Sequence, residues 1–175
     1  MANSTAMEIA AVGIPEFADL VRANQAMVFS IAYHFLHDRA AAEEIAQDVF
    51  LQLYRHLPSL ESEAHITAWL RKVASHRCVD YARRRHRDLP LDEIPEPASE
   101  PPPDDPIAAG RLRRMVASLP PKARIVVVLR YQEDLELEEI AGVLGWRLNT
   151  VKSQLHRSLK MLRQKFGRTS GEVSS

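Results

Sequence analysis

The chain has 175 residues, 46% of them hydrophobic, with 23 basic and 23 acidic side chains and a formal net charge of zero. That length holds one domain or two small ones. A single cysteine excludes an internal disulfide, and the longest unbroken aliphatic run, Ile125 to Leu129, is far too short to cross a bilayer.

The neutral total conceals a segregation of charge. Met1 to Leu70 carries three basic and nine acidic residues, a net of −6, and Arg71 to Arg87 carries seven and one, a net of +6. Asp88 to Ala109 has seven acids and no base, and Ala141 to Arg168 has seven bases and no acid. Two basic blocks separated by an acidic bridge imply specialised partners.

Residues 1–14 read as a loose tail. MANSTAMEIAAVGI has no basic leader and Glu8 interrupts its apolar run, so a signal peptide is not expected and a reducing cytoplasm is. Pro15 suits a first helical turn, after which Phe17, Leu20, Val21, Val28, Ile31, Ala32 and Phe35 keep helical spacing to about His37. Asp38 can cap a second helix, Ala40 to about Leu57, with Ile45, Val49 and Leu53 on one face. Its other face carries Glu44, Gln47, Asp48, Leu51, Gln52 and Arg55, and Pro58 stops it. A polar loop, Ser59 to His65, leads to a third helix with an inner stripe of Ile66, Trp69, Leu70, Val73, Ala74, Cys78 and Tyr81. Arg71, Lys72, His76, Arg77, Arg83, Arg84, Arg85 and Arg87 form its basic side.

Residues 88–109 hold seven prolines and seven acids. Prolines deny backbone hydrogen bonds and the charges resist burial, so the segment is expected to be a flexible linker. Its 22 residues reach nearly 70 Å at about 3.1 Å each in polyproline form. Asp92, Glu93, Glu96, Glu100, Asp104 and Asp105 along it are expected to lie against either basic block and compete with DNA. Asp105 and Pro106 begin a further helix to about Leu119, which Pro120 and Pro121 break. Ala123 to Gln132 is ambiguous by periodicity, because its Ile-Val-Val-Val favours strand and the run is short.

Leu137 to Phe166 has the form of a helix-turn-helix. Leu137, Ile140, Ala141 and Leu144 form one face of a short helix, Gly145 sits where a left-handed residue ends it, and Asn149 can cap the next. There Val151, Leu155, Leu159 and Leu162 recur every three or four residues, with Phe166 a turn further, while Lys152, Ser153, His156, Arg157, Lys160 and Arg163 fall on the other faces. A helix with an apolar back and a basic, hydrogen-bonding front suits a major groove. An amphipathic surface helix facing only water is the plainer reading, disfavoured by the coincidence of Gly turn, cap and absence of acids. Gly167 onward is expected to fray.

EEIAGVLGWRLNTVKSQLHRSLKMLR resembles the last region of bacterial sigma factors of the extracytoplasmic-function (ECF) group. Glu136 stands where that pattern usually has a capping Ser or Thr, Asn149 replaces Gly and Gln154 replaces Arg. AAEEIAQDVFLQLYRHL is similar to the segment of sigma domain two that grips the polymerase clamp, and AWLRKVASHRCVDYARRRHR to the segment that reads the −10 element. The resemblance implies an all-α fold of two small helical domains, with domain two over 15–87, the linker over 88–108 and domain four, with its helix-turn-helix, over 109–167. It also favours helix for Ala123 to Gln132. It implies polymerase binding by Glu44, Gln47, Asp48, Leu51 and Gln52, and −10 contacts from Lys72, His76, Arg77, Arg83 and Arg84. The −35 contacts would come from Asn149, Thr150, Lys152, Ser153, His156, Arg157 and Lys160. Ser59 to Thr67 matches the loop that holds a flipped −10 base. The implied function is promoter recognition, DNA melting and transcription initiation, with core RNA polymerase, promoter DNA and an anti-sigma factor as partners, no cofactor and no membrane insertion.

Other chemistry has weaker support. No P-loop, dinucleotide turn, HExxH or nucleophile elbow is present. His34 and His37 share a helix face with Asp38, but a His pair without a third ligand is more often core or surface. Cys78 reads as a small core residue before a redox sensor, and Trp69 as core before a base-stacking ring. The rival readings are a two-domain operator-binding regulator that works without polymerase and a catalytic domain fused to a DNA reader.

Overall fold

In the computed structural model of the protein, the described backbone covers residues 14–88 and 106–170, with side chains over 17–85 and 110–167. The expected N-terminal tail, most of the linker with its acids and the last five residues lie outside the described residues. Helix α1 spans Ile14–Leu36, α2 Arg39–His56 and α3 Glu63–Asp88, with a 3-10 turn over Leu57–Ser59. Helix α4 spans Pro106–Ala117, α5 Pro121–Tyr131, α6 Leu137–Leu144 and α7 Leu148–Ser170. Among the described residues there is no strand.

Local chemistry sets most of the boundaries. The Asp38 carboxylate accepts from the Ala41 N–H at 3.0 Å, the cap expected for α2. Helix α3 starts earlier than expected: the Ser62 hydroxyl accepts from the His65 N–H at 3.2 Å and turns residues 63–65 of the polar loop into a first helical turn. Asn149 is not a cap. Helix α7 already begins at Leu148, with the Arg147 carbonyl accepting from Thr150 and Val151. Nor does Gly167 end that helix, which runs on to Ser170. The α6 start is better supported than Glu136 suggested, because the Glu139 carboxylate accepts from the Glu136 N–H at 2.8 Å. Arg130 adds an ion pair to Glu136 at 3.1 Å.

Helix α5 resolves the ambiguity at Ala123. Ile125, Val126, Val127, Val128 and Leu129 are all buried, on every side of the helix. A helix enclosed on every face has no amphipathic period to display. It lies against α1, α3, α6 and α7. The largest buried side chains of the first half are Phe35, Ile31, Leu53 and Leu70, and those of the second include Ile125, Leu129, Ile140 and Leu119. Each contributes about 1.5–3 kcal/mol through removal from water. One connected apolar cluster holds buried residues of both halves. A smaller one, Leu119, Ala123 and Val127, is closed by Leu155, Met161 and Leu162 of α7.

Polar contacts among the described residues also tie the halves together. The Ser30 hydroxyl donates to Glu133 at 2.9 Å. Arg124 donates to the Phe35 carbonyl at 3.2 Å, with its guanidinium 4.9 Å from the centre of the Phe35 ring. The His76 ring Nε2 lies 3.3 Å from the Leu144 carbonyl. Arg124 also donates to the carbonyls of Ala117 and Leu119, which close off the end of α4. Burial pulls its pKa down to about 10, with the Cys78 thiol opposing in part.

Candidate nucleic-acid and polymerase interfaces

The helix-turn-helix is built from the core outward. Ile140, Val143 and Leu144 bury the inner face of α6. Gly145 then takes φ 68° and ψ 31°, and the Trp146 N–H donates to the Ala141 carbonyl at 3.0 Å. This left-handed turn aims α7 away from α6. On α7, Val151 and Ser158 are buried and Leu155, Leu159 and Leu162 are half-buried. Phe166 leaves the stripe: it is exposed, with the Arg111 guanidinium 5.7 Å from its ring centre.

All seven residues expected to read the −35 element, Asn149, Thr150, Lys152, Ser153, His156, Arg157 and Lys160, are exposed. They occupy the first turns of α7, where an open N-terminus favours phosphate. The Ser153 hydroxyl donates to the Asn149 carbonyl at 2.8 Å, which leaves its oxygen lone pairs for a base or phosphate. Two further cations border this front. Arg147 is exposed beside the start of α7, and Lys122 sits 5.8 Å from the Trp146 ring centre. Sequence reasoning missed both; Lys122 comes from α5 and no spacing along α7 could reveal it.

The second surface lies on α2. Glu44, Gln47, Asp48 and Leu51 are exposed and Gln52 is half-buried. Leu51 and Tyr54 leave large apolar area in water, and Tyr54 meets Phe17 edge-on at 5.3 Å. Tyr54 was not singled out from the sequence, although it lies one turn beyond Leu51.

Helix α3 divides its cations. Lys72, His76, Arg83 and Arg84 are exposed, and His76 meets the end of α6 as described above. Arg77 points instead to α2. It lies 3.8 Å from Asp48, and with the Gln52 amide oxygen turned toward it, its Nε donates at 2.8 Å. Arg77 and Arg84 line a shallow pocket with Glu44, Asp48 and Asp80. Arg85 pairs with Asp38 at 3.5 Å. Trp69 packs half-buried against the core, its ring 5.4 Å from that of His56. The loop expected to hold a flipped base is reduced to the 3-10 turn and residues 60–62, because α3 takes the remainder.

His37 is buried, with a left-handed φ of 52° and neither ring nitrogen partnered. Burial pushes its pKa down to about 4, assisted by Arg124, His34 and Arg113. His34 is lowered by burial and by Arg113. Among the described residues no three His, Cys, Asp or Glu side chains come together as a metal site. Cys78 is fully buried, and burial raises its thiol pKa, which suppresses the thiolate. No helix among the described residues is long and apolar enough to cross a membrane.

Comparison with known proteins accounts for this geometry. Family models for Sigma-70 region 2 and Sigma-70, region 4 match residues 20–88 and 109–162. The chain is 31% identical over 170 residues to the ECF RNA polymerase sigma factor SigE of Mycolicibacterium smegmatis, covering 92% of this chain and 65% of that protein. It is 28% identical to the ECF RNA polymerase sigma factor SigW of Bacillus subtilis, over 86% of this chain and 88% of the relative. It is 30% identical to the RNA polymerase sigma-E factor of Streptomyces coelicolor, over 86% of each chain. The fold is shared with the sigma factor RpoE of Bartonella quintana, solved with the anti-sigma factor NepR, at TM-score 0.71, 17% identity and coverage of 86% of this chain and 96% of that one. It is also shared with CnrH, solved with the cytosolic domain of CnrY, at TM-score 0.67, 19% identity and coverage of 93% and 95%. The chain belongs to the ECF group of sigma-70 factors, the family that directs promoter recognition and transcription initiation.

Proposed function

We propose that this chain is a dissociable specificity subunit with no catalytic step of its own, acting in the cytoplasm on core RNA polymerase. Residues 15–87 form domain two, 88–108 the linker and 109–167 domain four. Helix α2 docks on the polymerase through Glu44, Gln47, Asp48, Leu51 and Gln52. Helix α3 meets the −10 element through Lys72, His76, Arg77, Arg83 and Arg84, and α7 reads the −35 element through the seven exposed residues named above. The observation that carries this reading is the exposed basic front of α7 on a largely apolar back, directly after a left-handed Gly145 turn. Cations there hold phosphates while the first turns reach base edges. An anti-sigma factor is a further partner, by analogy with RpoE of the same fold, which was solved with the anti-sigma factor NepR.

Run-off transcription with core polymerase on genomic promoter fragments tests the reading. Promoter-dependent transcripts that require this chain support it. Binding to DNA fragments with no effect on polymerase would make the chain a plain helix-turn-helix regulator.

A further inference from the structure

We propose that Arg77 is a positioning residue of the polymerase-docking surface: it reaches across from α3 and fixes Asp48 and Gln52 of α2 in the orientation that meets core polymerase. The inference rests on the assignment of α2 as that surface, and it gives Arg77 a role beyond the −10 contact proposed above.

The direction of the side chain is the first observation. Neighbours on a helix project about 100° apart. His76 meets the Leu144 carbonyl, whereas Arg77, the next residue, lies against α2. Arg77 is half-buried there, while Lys72, His76, Arg83 and Arg84 are all exposed.

The second observation is what the guanidinium holds. With the Gln52 amide oxygen turned toward it, Nε donates at 2.8 Å and a second guanidinium nitrogen donates to the same oxygen. The Asp48 carboxylate lies 3.8 Å away. Asp48 and Gln52 are four residues apart, so they share one face of α2. A planar fork of donors can engage both and set their orientation, which a single ammonium cannot. The amide of Gln52 is then committed: its oxygen serves Arg77, and its NH2 is left for an acceptor on the partner. Side chains ordered in advance lose less freedom on docking, so their contacts yield more affinity.

Charge points to a protein partner at this place. Arg77 and Arg84 share their shallow pocket with Glu44, Asp48 and Asp80. The acids outnumber the cations, which favours a surface that brings cations of its own.

Titration of labelled full-length protein with core polymerase tests the role. Arg77→Ala should raise the Kd by about threefold or more, with the protein still folded by circular dichroism. Gln52→Ala should also weaken binding. In that background Arg77→Ala should cost clearly less than in wild type, because its main anchor is already gone. A general loosening of the fold would cost the same in both. Arg77→Lys keeps a charge beside Asp48 but loses the fork on Gln52, and should fall between wild type and Arg77→Ala. A Kd for Arg77→Ala equal to wild type, or equal losses in the two backgrounds, would overturn the inference. Leu51→Ala and Glu44→Arg separate it from the reading beneath it. If these two weaken binding and Arg77→Ala does not, the inference alone falls. If none of the three weakens binding, α2 is not the docking surface and both fall.

Discussion

Arg77 of α3 lies 3.8 Å from Asp48 of α2, so a cation of the proposed promoter reader leans on an acid of the proposed polymerase surface. Both side chains are partly exposed, and such a pair contributes about 0–1 kcal/mol. Asp48→Arg should therefore change unfolding free energy by no more than about 0.5 kcal/mol. It should weaken core polymerase binding by roughly tenfold or more through charge mismatch. Titration of labelled protein with core polymerase checks this, and an unchanged Kd removes Asp48 from the interface.

Lys152 and Ser153 sit side by side on the front of α7 but should fail differently. Lys152→Ala removes a cation, which should weaken binding on every sequence and flatten the log–log salt slope by about 0.9. Ser153→Ala or His156→Ala should change sequence preference with little change in slope. Anisotropy titrations on wild-type and base-substituted −35 duplexes at several salt concentrations separate the cases. Uniform losses for all three variants would make them phosphate contacts.

His37 should make stability depend on pH in mild acid. In the fold it stays neutral down to about pH 4, held so by burial and then by Arg124 of α5, His34 of α1 and Arg113 of α4. Asp38, the next residue, is occupied with the Ala41 N–H and Arg85. In the unfolded chain the ring takes its proton near pH 6.5. Between those values the unfolded state binds more protons, so stability is complete above about 6.5, falls with decreasing pH and levels off below about 4. The total is about 3 kcal/mol, at about 1.4 kcal/mol per unit. Urea unfolding at pH 7.5, 5.5 and 4.5 should show the slope, and His37→Asn, which tolerates the left-handed backbone, should flatten it. An equal slope in the variant would place the titration elsewhere, with His34 the next group to change.

Gly145→Ala isolates the cost of the turn. A Cβ at Gly145 meets nothing within 4 Å, so no clash contributes. The left-handed backbone alone should cost about 1 kcal/mol, or a fall in Tm of roughly 2–4 °C for a chain of this size. Thermal unfolding measures it; a Tm equal to wild type would mean that the turn relaxes out of the left-handed region.

Most of the helices and the exposed binding fronts were legible because both obey the helical period. Val151, Leu155 and Leu159 alternate with exposed cations, and that alternation is written along one element. The period is silent where a residue's environment comes from elsewhere in the chain. Ala123 to Gln132, helical as the resemblance implied, was ambiguous by periodicity because Ile125 to Leu129 are buried on all sides, a fact set by α1, α3 and α7 rather than by neighbours in sequence. Arg124 looked like one more cation, yet it is the residue that joins Phe35 to the end of α4. Arg77 was grouped with Lys72 and His76 by proximity in sequence, but the angle between their side chains on α3 sends it toward α2. The Ser62 cap could have been read from the sequence, since a Ser before a helical stretch is itself a start signal.

The surface that covers α3 is encoded after it. Fifty-six residues separate Asp88, where α3 ends, from Leu144, whose carbonyl meets His76. At about 5–20 residues per second a ribosome needs roughly 3–11 s to make them. Throughout that interval the nascent first half presents α3 without helices α5 and α6, which later pack on it. Until those helices emerge, the first half must hold its shape through the contacts among α1, α2 and α3 alone.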